Sequence, residues 1–111
     1  MKGTVKIGGK DVGMVANAAS PYIYKQIFHE DFLQKLQASE PETDLFQRMG
    51  FVMAKQYEMS ELSDLMKLSE EDFFGWLMGF ESMDIIYATE DIADIYLAQQ
   101  KATVVPKSEG E

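Results

Sequence analysis

The side chains best equipped for chemistry stand in a few short runs. His29-Glu30-Asp31 has the residue types of a metal or acid–base cluster, and Glu70-Glu71-Asp72 and Glu90-Asp91 are runs of carboxylates, with Glu40 and Glu42 either side of Pro41. Neighbouring residues on a helix point in different directions, so the histidine trio does not converge on one point. His29 is the one histidine, which rules out a multi-histidine site, and the chain has no cysteine for a thiolate ligand, a nucleophile or a disulfide. General acid–base work needs two carboxylates in different environments inside a cleft. Most carboxylates here stand where helices begin, and there they stabilise the positive end of the helix dipole. No Ser-His-Asp spacing, phosphate-cradling glycine loop or metal-ligand spacing occurs. An enzyme is not expected, and neither a cofactor nor a bound metal is implied.

The elements that position these residues follow from local grammar. Gly8-Gly9 reads as the two-residue turn of a hairpin over Thr4 to Ala16, with Val5 opposite Val12 and Lys6 opposite Asp11. Ser20-Pro21 opens a helix, serine as cap and proline at the first helical position. Its apolar residues Ile23, Ile27 and Phe28 continue into Phe32, Leu33 and Leu36, with a break near His29. After a linker over 39–43, Thr43 caps a helix running to about Met59, in which Leu45, Met49, Val52, Met53 and Gln56 make a stripe. Gly50 in its interior costs about 1 kcal/mol against alanine, a sign of close approach by a neighbour. Ser60 to Leu68 reads as a short helix or an irregular connection. Ser69, followed by Glu70, Glu71 and Asp72, starts a further helix, Gly79 to Ser82 is a turn, and a last helix covers about Met83 to Lys101. Thr89 with Glu90 and Asp91 marks a restart inside it. The fold expected is mainly α: an N-terminal β-hairpin, four or five packed helices in a single domain over 1–102, and a mobile tail over 103–111.

Nineteen acidic residues against ten basic give a net charge of −9, which repels nucleic-acid phosphates. No apolar run reaches the ~20 residues of a membrane span, and the start lacks the apolar segment of a signal peptide. Neither nucleic acid nor membrane is an expected partner, and an intracellular setting is expected. Against that polar background, six aromatics fall within the 29 residues from Ser69 to Leu97, including the lone Trp76. Such a segment is either the core of a small domain or an apolar surface awaiting cover. Among the eight methionines, Met49 and Met53 have core spacing, whereas Met78 and Met83 sit beside Trp76 and Phe80 and suit an adaptable partner surface.

The order of these motifs resembles the tail assembly chaperones of long-tailed bacteriophages and prophages of low-GC Gram-positive bacteria. The resemblance covers nearly the whole chain. It is carried by the hairpin Lys6 to Gly13; by Ala18-Ala19-Ser20-Pro21, Tyr24-Lys25 and Phe28-His29-Glu30-Asp31; and by Phe51-Val52-Met53-Ala54-Lys55-Gln56. Trp76-Leu77, Phe80-Glu81, Met83-Asp84-Ile85 and Thr103-Val104-Val105-Pro106-Lys107 complete it. His29 stands where the family usually has glycine, and Glu90 where a proline often breaks the last helix. The resemblance implies a non-enzymatic protein of the host cytoplasm that shields the tape measure protein until tail tube subunits polymerise around it, and that is absent from the finished virion. A longer form made by a ribosomal frameshift, and the tail tube protein, are further partners it implies. The apolar face expected to bind is drawn from Phe73, Trp76, Met78, Phe80, Ile85 and Tyr87. Exposed helical stripes also permit self-association into rings or helical arrays. The rival expectation is an acidic regulatory module that presents carboxylates to a basic protein.

Overall fold

A computed structural model describes residues 2–38 and 44–109, with side chains described as far as residue 98. Strands β1 (Lys2–Ile7) and β2 (Lys10–Val15) pair antiparallel, Val5 against Val12 and Lys6 against Asp11. The register is the expected one because Gly8 and Gly9 both adopt positive φ, 60° and 85°, as a two-residue turn matched to the strand twist requires. Val5, Ile7 and Met14 are buried. A two-stranded hairpin is marginal alone, and this one is held by helices on its inner face.

Helices α1 (Ser20–Phe28) and α2 (Phe32–Leu36) follow, then α3 (Leu45–Glu58), α4 (Leu62–Leu65), α5 (Glu70–Leu77) and α6 (Ser82–Glu109). The start of α1 differs from expectation. Ala19 is the cap residue and Ser20 is already helical. The Asn17 side chain accepts from the Ala19 amide at 2.9 Å, so the serine hydroxyl is free to turn inward. Buried there, Ser20 Oγ accepts from the Asn17 amide at 3.0 Å and donates to Gln56 Oε1 at 2.6 Å. Gln56 Nε2 donates back to Asn17 Oδ1, closing a polar clasp between the β2–α1 loop and α3. Gln56 therefore ends the apolar stripe of α3 as a hydrogen-bonding group.

The expected break near His29 is real. His29 caps α1 in the left-handed region, φ 60° and ψ 35°, with its amide donating to the Lys25 carbonyl. A tight turn is thus made with a side chain at a position that favours glycine. Asp31 then caps α2 by accepting from the Gln34 amide at 3.2 Å. The cap expected at Thr43 lies outside the described residues; Asp44 precedes α3 and directs its carboxylate to Arg48 at 3.4 Å instead.

Helix α3 is the centre of the molecule. Leu45, Met49, Gly50, Phe51, Val52, Met53 and Ala54 are all buried, so the apolar surface wraps much of the helix and is not a single stripe. It packs against β2, α1, α2, α5 and α6. Gly50 makes the α6 contact: a Cβ there would lie 2.9 Å from Ile92 Cδ1. Helix α6 buries Ile85, Ala88, Ile92 and Tyr96 and runs unbroken through the expected restart. The Thr89 hydroxyl donates to the Ile85 carbonyl at 3.1 Å within the helix, instead of capping a new one. The backbone of α6 is described to Glu109, past the expected end near Lys101 and through residues 103–109 of the expected tail; residues 110–111 and the side chains from 99 onward lie outside the described residues.

Two stability predictions follow from this backbone. Gly50→Ala gains about 1 kcal/mol of helix propensity but overpacks a buried contact by about 1–3 kcal/mol. It should lower the urea midpoint, and adding Ile92→Val, which deletes the nearest methyl, should restore it more than the separate effects sum to. His29→Gly relieves about 1–2 kcal/mol of left-handed strain, part of it offset by the greater freedom of glycine in the unfolded chain. A net stabilisation of about 0.5–1 kcal/mol is expected; an unchanged or lower midpoint would mean that the imidazole is held by contacts worth as much as the strain.

Candidate partner-binding surface

The residues with chemical potential are placed first by the fold. Tyr24 is buried, and its hydroxyl donates to Glu30 Oε2 at 2.5 Å. The same carboxylate oxygen lies 3.3 Å from Arg48 Nη2, and the Arg48 guanidinium lies over the Phe28 ring at 5.8 Å. Burial, and secondarily the bond to Glu30, push the Tyr24 hydroxyl well above its ordinary pKa of 10.0. Glu30 therefore ties α1 to α3, Asp31 caps α2, and His29 turns the chain between them. The trio does not converge on one point. Among the described residues no group of three or more histidine, aspartate or glutamate side chains could hold a metal ion.

The aromatic segment divides into an inner and an outer part. At the head of α5, the Ser69 amide donates to Asp72 Oδ2 at 2.9 Å and the Ser69 hydroxyl donates to the same oxygen at 3.3 Å. The two residues form a capping box, the aspartate reaching back to the Ser69 amide while the serine side chain meets the backbone amide of Asp72. This start sets the rotation of α5. Phe73 points inward, edge to face with Phe28 at 5.2 Å and Phe51 at 5.6 Å, and is only 4% exposed. Ile85, at 6%, is likewise part of the core. Both were expected on a binding face, and both are corrected: each lies on the buried side of its helix, against the core that α3 organises.

Trp76 and Phe80 are half-buried. Trp76 packs on Phe51 at 5.7 Å and meets Phe80 edge to face at 5.1 Å, while Lys10 from the hairpin stands 5.9 Å over the Phe80 ring. These two rings line one side of an open groove whose other walls are Val12 and Gly13 of β2 and Tyr57 at the end of α3. Gly13 lets the half-exposed Tyr57 ring lie directly over the strand, since a Cβ would fall 2.5 Å from that ring and the ring would have to swing aside.

Met78, 85% exposed, and Tyr87, 73% exposed, are the two expected residues that stand fully at the surface. Phe74, Met83 and Ile86 join them there. Phe74 and Ile86 had not been assigned to a binding face, although Phe74–Met78 and Met83–Tyr87 are i,i+4 pairs and so share a helix face. Consecutive helices α5 and α6 thus each present an apolar outward stripe. A second, smaller exposure lies on α1 and α2, where Tyr22 and Leu33 border a shallow groove with Ala18, Pro21, Lys25 and Asp31. Among the described residues no helix is long and apolar enough to cross a membrane.

The buried Tyr24 hydroxyl carries a pH dependence with a definite sign. The folded chain holds this proton more tightly than the unfolded chain, so the contribution is complete below about pH 10 and is lost as the pH rises above it. Urea midpoints measured from about pH 8 to pH 11 should fall at the alkaline end. Tyr24→Phe should cost about 1 kcal/mol near neutrality and flatten that fall; an identical alkaline slope in the variant would exclude Tyr24 as its source.

Comparison of the chain with protein-family models, with curated proteins and with solved structures finds no match to any of them.

Proposed function

We propose that this protein is a tail assembly chaperone that binds and shields the tape measure protein in the cytoplasm of a bacterial host while a phage tail is built. The observation that carries the reading is the exposed apolar surface of α5 and α6, formed by Phe74, Met78, Met83, Ile86 and Tyr87 on an otherwise acidic chain. Scattered exposed apolar residues are ordinary. Five of them, two methionine, stand within the fourteen residues 74–87 on two consecutive helices, and such side chains adapt to a partner's shape. The motifs by which the chain resembles that family fall on the hairpin and on helices α1, α3, α5 and α6 in turn. The protein supplies surface and no reaction: its apolar face replaces water around a partner's helices and is released when a more extensive cover forms.

The best probes are the side chains with least structural work. Trp76 is a poor one, since it packs on Phe51, Phe73 and Phe80, and Trp76→Ala should destabilise the fold by about 2–3 kcal/mol as well as alter the surface. Met78→Ser with Tyr87→Ser should leave the thermal midpoint within about 2 °C of wild type. In co-expression with a phage tape measure protein, wild type should keep that protein soluble and co-purify with it. The double variant should lose both effects. Retention of full capture by a folded double variant would overturn the assignment of this face. The rival reading, an acidic module for a basic protein, requires capture that survives the double variant and is abolished by salt alone.

A further inference from the structure

The exposed face of α5 and α6 has a charge environment that specifies its occupant more narrowly. The thirty residues 69–98 contain eight carboxylates (Glu70, Glu71, Asp72, Glu81, Asp84, Glu90, Asp91 and Asp94) and no lysine, arginine or histidine. This stretch carries a charge of −8 out of −9 for the whole chain, so the remainder is nearly balanced. The imbalance is confined to the segment that bears the exposed apolar stripes. Two of the eight have local work: Asp72 caps α5, and Asp84 is half-buried beneath the Gly8 turn. Glu70, Glu71, Glu81, Glu90, Asp91 and Asp94 are exposed.

Their helical positions border the apolar stripes. Glu70 and Glu71 precede Phe74 by four and three residues, and Glu90 and Asp91 follow Ile86 and Tyr87 by four. Residues at such spacing are surface neighbours on a helix. A partner helix laid along Met83, Ile86 and Tyr87 of α6 brings the borders of its own apolar stripe toward Glu90, Asp91 and Asp94. Lysine or arginine at those borders can lay an aliphatic stem on the apolar face and extend its charge to the acids. Glutamate or aspartate there is repelled, and it discriminates against the partner even where the apolar match is equal.

We propose that this face takes an amphipathic helix whose apolar stripe is flanked by lysine or arginine, so that charge selects which apolar helices are covered. The proposal rests on the chaperone reading of the same surface and adds the class of helix it accepts. Attraction by the segment's negative field also makes capture fast at low ionic strength. Self-repulsion of the same field disfavours two such faces meeting each other.

Two designed helical peptides of about 20 residues test this. Both carry the same leucine stripe, one with lysine at the flanking positions and the other with glutamate, and binding to the full chain is read by fluorescence anisotropy. The lysine peptide should bind at least tenfold more tightly, and its advantage should shrink severalfold as salt rises from about 0.05 M to about 0.5 M. Glu90→Gln with Asp91→Asn and Asp94→Asn should weaken the lysine peptide alone, whereas Met78→Ser with Tyr87→Ser should remove binding of both. Equal affinities for the two peptides would overturn charge selection, as would binding of the lysine peptide that ignores the loss of Met78 and Tyr87. Sedimentation of the chain by itself as a dimer that this double variant dissociates would make a second copy the occupant, and would overturn the proposal too. Equal peptide affinities together with intact capture of the tape measure protein would sink the charge selection while leaving the chaperone reading standing. Selective peptide binding without such capture would do the reverse.

Discussion

Helix α3 can be enclosed on so many sides only because residue 50 has no side chain. Ile92 of α6 occupies the space a Cβ would take, and that contact lets the last helix pack closely on α3. Strand β2, α1, α2 and α5 then take the remaining surface of α3. The cost of a glycine in mid-helix, about 1 kcal/mol, is offset by burial of Ile92, Ala88 and Tyr96 around it. Most of the core is assembled by reference to this one helix.

Aromatic contacts spread that order outward. Tyr96 meets Phe32 at 5.0 Å, Phe32 meets Tyr24, Tyr24 meets Phe28, Phe28 meets Phe73, and Phe73 and Phe51 lead to Trp76 and Phe80. Edge-to-face or tilted pairs of this kind contribute about 0.5–1.5 kcal/mol each beyond their burial. The series runs from fully enclosed rings at Tyr24 and Phe32 to half-exposed ones at Trp76 and Phe80, so core and surface grade into each other at the end of α5. The question of whether the aromatic segment is core or interface has a divided answer: alternate sides of one short helix belong to each.

What could be read from the chain follows how local its causes are. The hairpin register was legible because two adjacent glycines determine it, and the break at His29 because the apolar pattern falters there. Gly50 signalled a close approach but not by which residue. The Ser20–Gln56 clasp was not legible, since its partners are 36 positions apart and Ser20 read as an ordinary cap. The rotation of α5 was hidden for a similar reason. Phe73 and Phe74 are chemically alike neighbours, and only the placement of Phe28 and Phe51, remote in sequence, decides which of them is buried. In α6 nothing local separates Ile85 from its neighbours Ile86 and Tyr87, and only the approach of that helix to the core shows that Ile85 faces inward while the other two face out.

The partition of methionines has a chemical consequence. Met14, Met49 and Met53 are sealed in the core, whereas Met78 and Met83 lie open to solvent. An oxidant dissolved in the surrounding water meets the second pair first, and conversion of a thioether to a sulfoxide turns an apolar, pliant group into a polar one. Peroxide stress would therefore weaken the outward stickiness of α5 and α6, leaving Phe74, Ile86 and Tyr87 unchanged and the interior reduced, and methionine sulfoxide reductases would restore it.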